Sequence, residues 1–230
     1  RLSFGSKIME KSGIHLAPVF SGEILPEIVR DAHGEIRVWM MPFLKPADVR
    51  HFLSEEEIQG YNDAVNAVIR HMKIDREERN LLVAHQFVTG AQRSDSEDVS
   101  VGGLDNIDAS AFYAFDYTAL GHIHSPQKIA GICGRYCGTP LKYSFSEARQ
   151  VKSALIVDMG AKGDIRFEEI PLTPLRELRE IRGTYEELTS LKNYKDANTA
   201  DYLHITLTDE EDVHDALGRL RTIYPNIMLL

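Results

Sequence analysis

The sequence predicts a mixed α/β (α+β) chain, and three observations carry that reading. Leu81–Ala84 and Ala119–Leu120 lie in apolar runs that each deliver histidine at one end, His85 from the first and His122 and His124 from the second. Ile58, Tyr61, Val65, Val68 and Met72 recur in steps of three and four, the period of a helix with one buried face. Beyond Pro171-Leu172-Thr173-Pro174 the composition shifts to short charged helical patterns around a strand. The paired prolines mark a boundary, giving a domain over 1–172 and a smaller β-α-β domain over 173–230.

Taken in order, Ser3 to Lys11 reads as a short helix with Phe4, Ile8 and Met9 on one side and Gly13 past its end. Glu23–Arg30 and Glu35–Pro42 flank Asp31-Ala32-His33-Gly34, a hairpin signal that leaves His33 exposed and Trp39 in the core. Ser54-Glu55-Glu56-Glu57 has the hydroxyl and carboxylate of a capping box, so the amphipathic helix is expected to open there. His51 and His71 lie beside this helix, away from any strand end, and are read as non-ligands. Lys128–Ala130, Ile132–Cys137, Ser153–Asp158 and Asp164–Ile170 read as strands, the last two joined by Gly160-Ala161-Lys162-Gly163. Leu175–Ile181 and Tyr185–Leu191 read as helical, Tyr202–Leu207 and Asn226–Leu230 as strands, and Thr208-Asp209-Glu210-Glu211 as the cap of a helix to about Ile223.

The chemistry concentrates in Ala119-Leu120-Gly121-His122-Ile123-His124-Ser125-Pro126 and Asn80-Leu81-Leu82-Val83-Ala84-His85-Gln86. A long apolar run suits a strand covered on both faces, so each histidine arrives where a strand leaves the core. Gly121 carries no Cβ to hold the backbone away from whatever lies between the rings. Neutral imidazole is the commonest protein metal ligand. On spacing alone His-x-His reads equally well as two polar residues in a surface turn. Two strands with the same design favour a metal site, with His85, His122 and His124 as ligands.

These stretches resemble the last two motifs of the calcineurin-like metallophosphoesterases. Within that superfamily, Leu120-Gly121-His122-Ile123-His124-Ser125-Pro126-Gln127, Tyr136–Ala148 and the opening Arg1-Leu2-Ser3-Phe4-Gly5 resemble the SbcD-type nuclease subunits of bacterial SbcCD complexes. The resemblance implies the C-terminal portion of a metallophosphoesterase-type β-sandwich flanked by helices over 1–172, followed by a partial β-α-β capping domain over 173–230. It implies two divalent ions in the intact protein, with Mn2+ favoured, His85 and His122 serving one and His124 the other, and weak metal binding or none in the fragment. It also implies a chain truncated at the N-terminus, since the family's first three motifs, with the acid histidine, would precede Arg1. The function implied is a double-strand exonuclease and endonuclease in DNA repair, recombination and replication. Its partners would be an SbcC-like ATPase, double-stranded DNA ends and hairpins, and a second nuclease subunit paired through helices near residues 3–11. The segment expected to hold half of the metal site would lie outside the chain, leaving the fragment itself inactive.

Composition sets limits on these readings. The net charge of −9 argues against a generic nucleic-acid coat, whose footprint is basic, while bound cations would offset it at a metal centre. Cys133 and Cys137 lack the second pair a structural zinc site requires and fit a reducing, cytoplasmic setting. No apolar run approaches the length of a membrane span. Lys128, Arg135 and Lys142 lie nearest the histidines in sequence, as phosphate contacts or as exposed strand positions. Ala91–Ser110, with Asp95, Glu97, Asp98, Asp105 and Asp108, is either a lid beside the site or an acidic loop. Two other functions remain open: a phosphoesterase for small substrates, and a non-catalytic scaffold that binds an ATPase.

Overall fold

The computed structural model describes residues 9–97 and 106–230. Most of the helix expected over 3–11, and Asp98 and Asp105 of the acidic loop, lie outside the described residues; Met9 and Glu10 are helical. The chain divides into two units, Arg1–Thr139 with Ser153–Ile170, and Pro140–Lys152 with Pro171–Leu230. A single cut after residue 172 therefore misses one feature: residues 140–152 belong with the later part of the chain.

The first unit is built on a mixed sheet of six strands: β1 (Glu27–Asp31), β2 (Gly34–Met41), β3 (Arg79–His85), β6 (Tyr117–Gly121), β8 (Gly134–Tyr136) and β7 (Gln127–Lys128), in that spatial order. β1 and β2 form the expected antiparallel hairpin, with Asp31 opposite Gly34. β2, β3, β6 and β8 run parallel, so their carboxyl ends lie along one edge. α1 (Pro46–Phe52) and α2 (Tyr61–His71) connect β2 to β3. Ala64, Val65, Ala67 and Val68 of α2 join Trp39, Met41, Leu82, Ala84 and Leu120 in the main core. The polar N-terminal end of β3 is tied down by fully buried Asn80. Its Oδ1 accepts from Trp39 Nε1 at 2.9 Å, and its Nδ2 donates to the Asp75 and Glu78 carbonyls at 2.7 and 2.8 Å.

In the parallel ladder Leu81 pairs with Tyr117, Val83 with Ala119 and His85 with Gly121, so these residues share the sheet face opposite the helices. β9 (Ser153–Met159) and β10 (Ile165–Pro171) form a two-stranded sheet that meets this second face. Phe167 packs on Tyr117 with ring centroids 5.5 Å apart, and the Arg135 guanidinium pairs with Glu169. The coarse expectation of a mixed α/β chain holds; the second layer among the described residues is this hairpin. Cover on both faces of β3 is not found: Leu82 is fully buried, whereas Val83 is 43% exposed.

Several element boundaries differ from the sequence reading, three of them substantially. α2 opens at Tyr61 because the Asp63 carboxylate accepts from the Gln59 and Gly60 backbone N–H groups at 3.0 and 3.1 Å. Ser54–Glu57 is instead the turn leaving α1, and Glu56 receives Arg70 and His71 at 2.5 and 3.1 Å. In the second unit, the helix read over Leu175–Ile181 is replaced by strand β11 (Leu178–Gly183), parallel to β12 (Tyr202–Leu207) with Ile181 opposite Ile205. The helix read from Thr208 to Ile223 shrinks to α5 (Ala216–Leu220). β11, β12 and β13 (Ile227–Leu229) form a parallel sheet, with α3 (Tyr185–Thr189) and α4 (Leu191–Tyr194) between β11 and β12. Residues 140–152 join this unit through Phe145, whose ring lies 5.2 Å from that of His204, and Lys142, whose Nζ lies 2.8 Å from Glu177. Within them Lys152 donates to fully buried Glu147 at 2.6 Å.

The uneven cover of β3 sets an expectation for denaturant unfolding. Leu82→Ala should cost about 2–5 kcal/mol, as core truncations do. Val83→Ala, one residue away on the open face, should cost less than about 1 kcal/mol.

Candidate metal centre

The histidines arrive where the parallel strands end. His85 is the last residue of β3 and lies opposite Gly121, the last residue of β6. A Cβ built on Gly121 would stand 3.0 Å from His85 Nδ1, so glycine at this position is what leaves room for the ring. The chain then turns sharply. His122 has φ of +106°, left-handed backbone that a side chain rarely adopts, at a cost of order 1–3 kcal/mol. That conformation brings the His122 ring edge-on to His85, with centroids 5.3 Å apart. Phe43 stacks on His122 at 6.0 Å and 16°, and meets His85 edge-on at 6.4 Å.

His124 follows on the same loop, held at several atoms. Its backbone N–H donates to Glu97 Oε1 at 2.5 Å, and its carbonyl accepts from Thr139 N at 3.1 Å. Its Nδ1 lies 2.6 Å from Ser96 Oγ. Partial burial pushes the His85 imidazole below its ordinary value of 6.5, and the charge on a protonated His124 adds to the effect. Both causes favour the neutral ring, the form that binds metal.

The three rings do not enclose one ion in common. Among the described residues, the group whose ligand atoms all lie within 4.8 Å of one another is Glu10, His15 and Glu27 on the surface. His85 and His122 form a near pair, and His124 is held by its own supports on the following loop. The donor set is all imidazole, suited to a borderline divalent ion. With the space left by Gly121, these residues fit the expected group.

An open groove of about 440 Å3 runs beside His85, lined by Ala17, Pro18, Met40, Phe43 and Val83. The basic residues nearest in sequence are occupied elsewhere or point outward. Arg135 pairs with Glu169, Lys142 with Glu177, and Lys128 is exposed on β7. The region read as one long loop contains β5 (Asn106–Ile107) paired with β4 (Phe87–Val88), and Asp108 accepts from Ser110 N at 2.8 Å. Ser96, Glu97 and Phe43 were not singled out by the histidine motifs. A polar loop carries no periodicity, and the available signal was only that it lies between two histidine strands.

Residues 174–230 match the family SbcD_C, described as Type 5 capsule protein repressor C-terminal domain. All of the chain aligns with the D subunit of the SbcCD nuclease of Staphylococcus epidermidis at 31% identity over 233 residues, covering 61% of that protein. The protein of the same name from Staphylococcus saprophyticus subsp. saprophyticus is 34% identical over 233 residues, again across the whole chain and 60% of that protein. Over its whole length this chain is similar to these two D subunits. It spans about three fifths of the length of those relatives. The SbcD_C match, 174–230, begins beside the Pro171–Pro174 boundary and covers β11 to β13. Among the described residues, no helix is long and apolar enough to cross a membrane.

In an NMR pH titration, His85 should titrate below 6.5, and His124→Gln should return it part of the way, since the His124 charge is the lesser cause. The unfolded chain takes up this proton more readily than the folded one. Stability tied to His85 is therefore full above pH 6.5 and declines as pH falls through the lowered value.

Proposed function

We propose that this chain is the part of a metal-dependent DNA nuclease subunit that supplies the histidine side of a two-metal centre. The observation that carries this reading is the convergence of His85 and His122 at the carboxyl ends of adjacent parallel strands, with His124 two residues on. Ligand sites in parallel sheets lie at those ends. The similarity to proteins named as the D subunit of the SbcCD nuclease supports the nuclease class. The finer reading is an exonuclease and endonuclease for double-stranded DNA ends and hairpins. It works with an SbcC-like ATPase in repair and recombination, as a homodimer, within a two-layer sandwich completed by a capping domain.

In this reading His85 and His122 hold one Mn2+ and His124 a second. Bound there, such ions would supply positive charge against a phosphodiester and would acidify a water for attack. The protein's own residues do the rest. Phe43 packs against both rings of the His85–His122 pair, shielding them on that side and limiting their rotation. Gly121 keeps the space at His85 Nδ1 clear. The unfavourable backbone at His122 aims its ring toward His85 rather than along the strand. The adjoining groove is open and apolar, which does not favour a closed pocket for a small phosphate ester.

The test is cleavage of linear double-stranded DNA by the full-length protein with Mn2+. His122→Ala and His124→Ala should each lower the rate at least about 100-fold, given the loss of a ligand. Undiminished cleavage by either variant would reject the assignment.

A further inference from the structure

The loop after the first histidine strand is fastened along the loop that carries the other two. Gln92 and Gln127 exchange a reciprocal pair of bonds: Gln92 N donates to Gln127 Oε1 at 2.9 Å, and Gln127 Nε2 donates to the Gln92 carbonyl at 2.9 Å. Between them the Arg93 guanidinium lies 3.5 Å over the Phe87 ring. Glu97 is 7% exposed, and its carboxylate bridges the two loops. Oε2 accepts from Ser94 N at 2.7 Å within its own loop, and Oε1 accepts from His124 N at 2.5 Å across the gap. Beside it, Ser96 Oγ lies 2.6 Å from His124 Nδ1 and 3.0 Å from Ser94 Oγ.

We propose that Ser96 and Glu97 are positioning residues for His124: Glu97 fixes the backbone and Ser96 selects the tautomer that leaves Nε2 as the coordinating nitrogen. A neutral imidazole carries one N–H, and the nitrogen that lacks it holds the lone pair a metal needs. Ser94 Oγ and His124 Nδ1 are both partners of Ser96 Oγ. When it donates to Ser94 Oγ, it accepts from His124 Nδ1–H, which places the lone pair on Nε2. A hydrogen bond at the second ring nitrogen is how ligating histidines are generally oriented, and its loss typically costs 10–100-fold in metal affinity. Glu97 contributes before any metal arrives. Its carboxylate binds two backbone N–H groups, charge-assisted bonds stronger than neutral ones, and so holds the loop where the tautomer matters. This inference deepens the metallonuclease reading and rests on it.

The experiment is nitrogen NMR of the metal-free full-length protein labelled at histidine, at a pH where imidazole is neutral, with His124 assigned by its loss in His124→Gln. The expected result is a protonated Nδ1 and an unprotonated Nε2. Ser96→Ala should shift His124 toward the Nε2–H form and lower Mn2+ affinity, measured by calorimetry, about 10–100-fold. Ser96→Thr keeps the hydroxyl and should restore both. A wild-type His124 protonated at Nε2 would overturn the proposal, whatever the variants do to stability. An unchanged tautomer and Mn2+ affinity in Ser96→Ala would overturn it equally. If His122→Gln and His124→Gln leave Mn2+ affinity intact, the metal-centre reading itself fails, a result separable from the metal-free tautomer.

Discussion

The parallel pairing of β3 with β6 is the constraint on which the rest of the molecule depends, because it sets His85 opposite Gly121. A parallel register places the carboxyl ends of neighbouring strands side by side, so two residues distant in sequence meet at one edge. A slip by one residue would turn His85 to the helix-covered face and bury it against the core. Leu82 and Ala84 would then be sent to the open side. The hydrophobic demand of one face thus fixes the position of the polar residue at the end of the other. Asn80 adds a polar lock at the opposite end of the strand, where its fully buried amide satisfies Trp39 and two carbonyls. Leaving such a group unpaired costs roughly 1–3 kcal/mol, so register errors are penalised at both ends of β3.

The site also shows where local strain has been tolerated. His122 occupies left-handed backbone where glycine would be cheaper, one residue after a glycine that uses its missing Cβ instead. The surrounding structure over-determines this geometry through Phe43 and His85 on the ring side and through Glu97 and Thr139 on the backbone of His124. Strain of this kind persists where neighbours hold it, and it concentrates at functional sites. Some carboxylates elsewhere on the chain are held by ion pairs. Asp31 is an example: its carboxylate binds the Arg79 guanidinium at 2.5 Å, which holds it down at about 2.

Much of this was legible from residue types. The apolar runs that end in His85 and His122, the Asp31–Gly34 hairpin and the Gly160–Gly163 turn all follow from strand and turn chemistry, and the structure contains them. What failed were inferences that depend on partners. The continuous run at Leu81–Ala84 looks buried on both sides, but side-chain composition does not say what lies over each face. Leu178 and Ile181 are three apart and read as helical, yet β12 offers a parallel neighbour that outweighs that local pattern. Ser54–Glu57 spells a capping box, while Asp63 supplies the cap at Gly60 and the Glu57 carboxylate accepts from Gln59 Nε2 instead. Glu97 was legible only as one carboxylate of a loop beside the site, and Ser96 not at all, for a different reason. Their role is set by a loop meeting another loop, and no periodicity records that contact.

Under the proposed function, the edge formed by His85, His122 and His124 holds divalent metal. Anomalous diffraction from crystals of the full-length protein soaked in Mn2+ tests it most directly. The predicted result is a manganese peak in contact with His85 and His122, and a second in contact with His124. Crystals that place manganese only at the surface trio Glu10, His15 and Glu27, or nowhere near those strand ends, would contradict it.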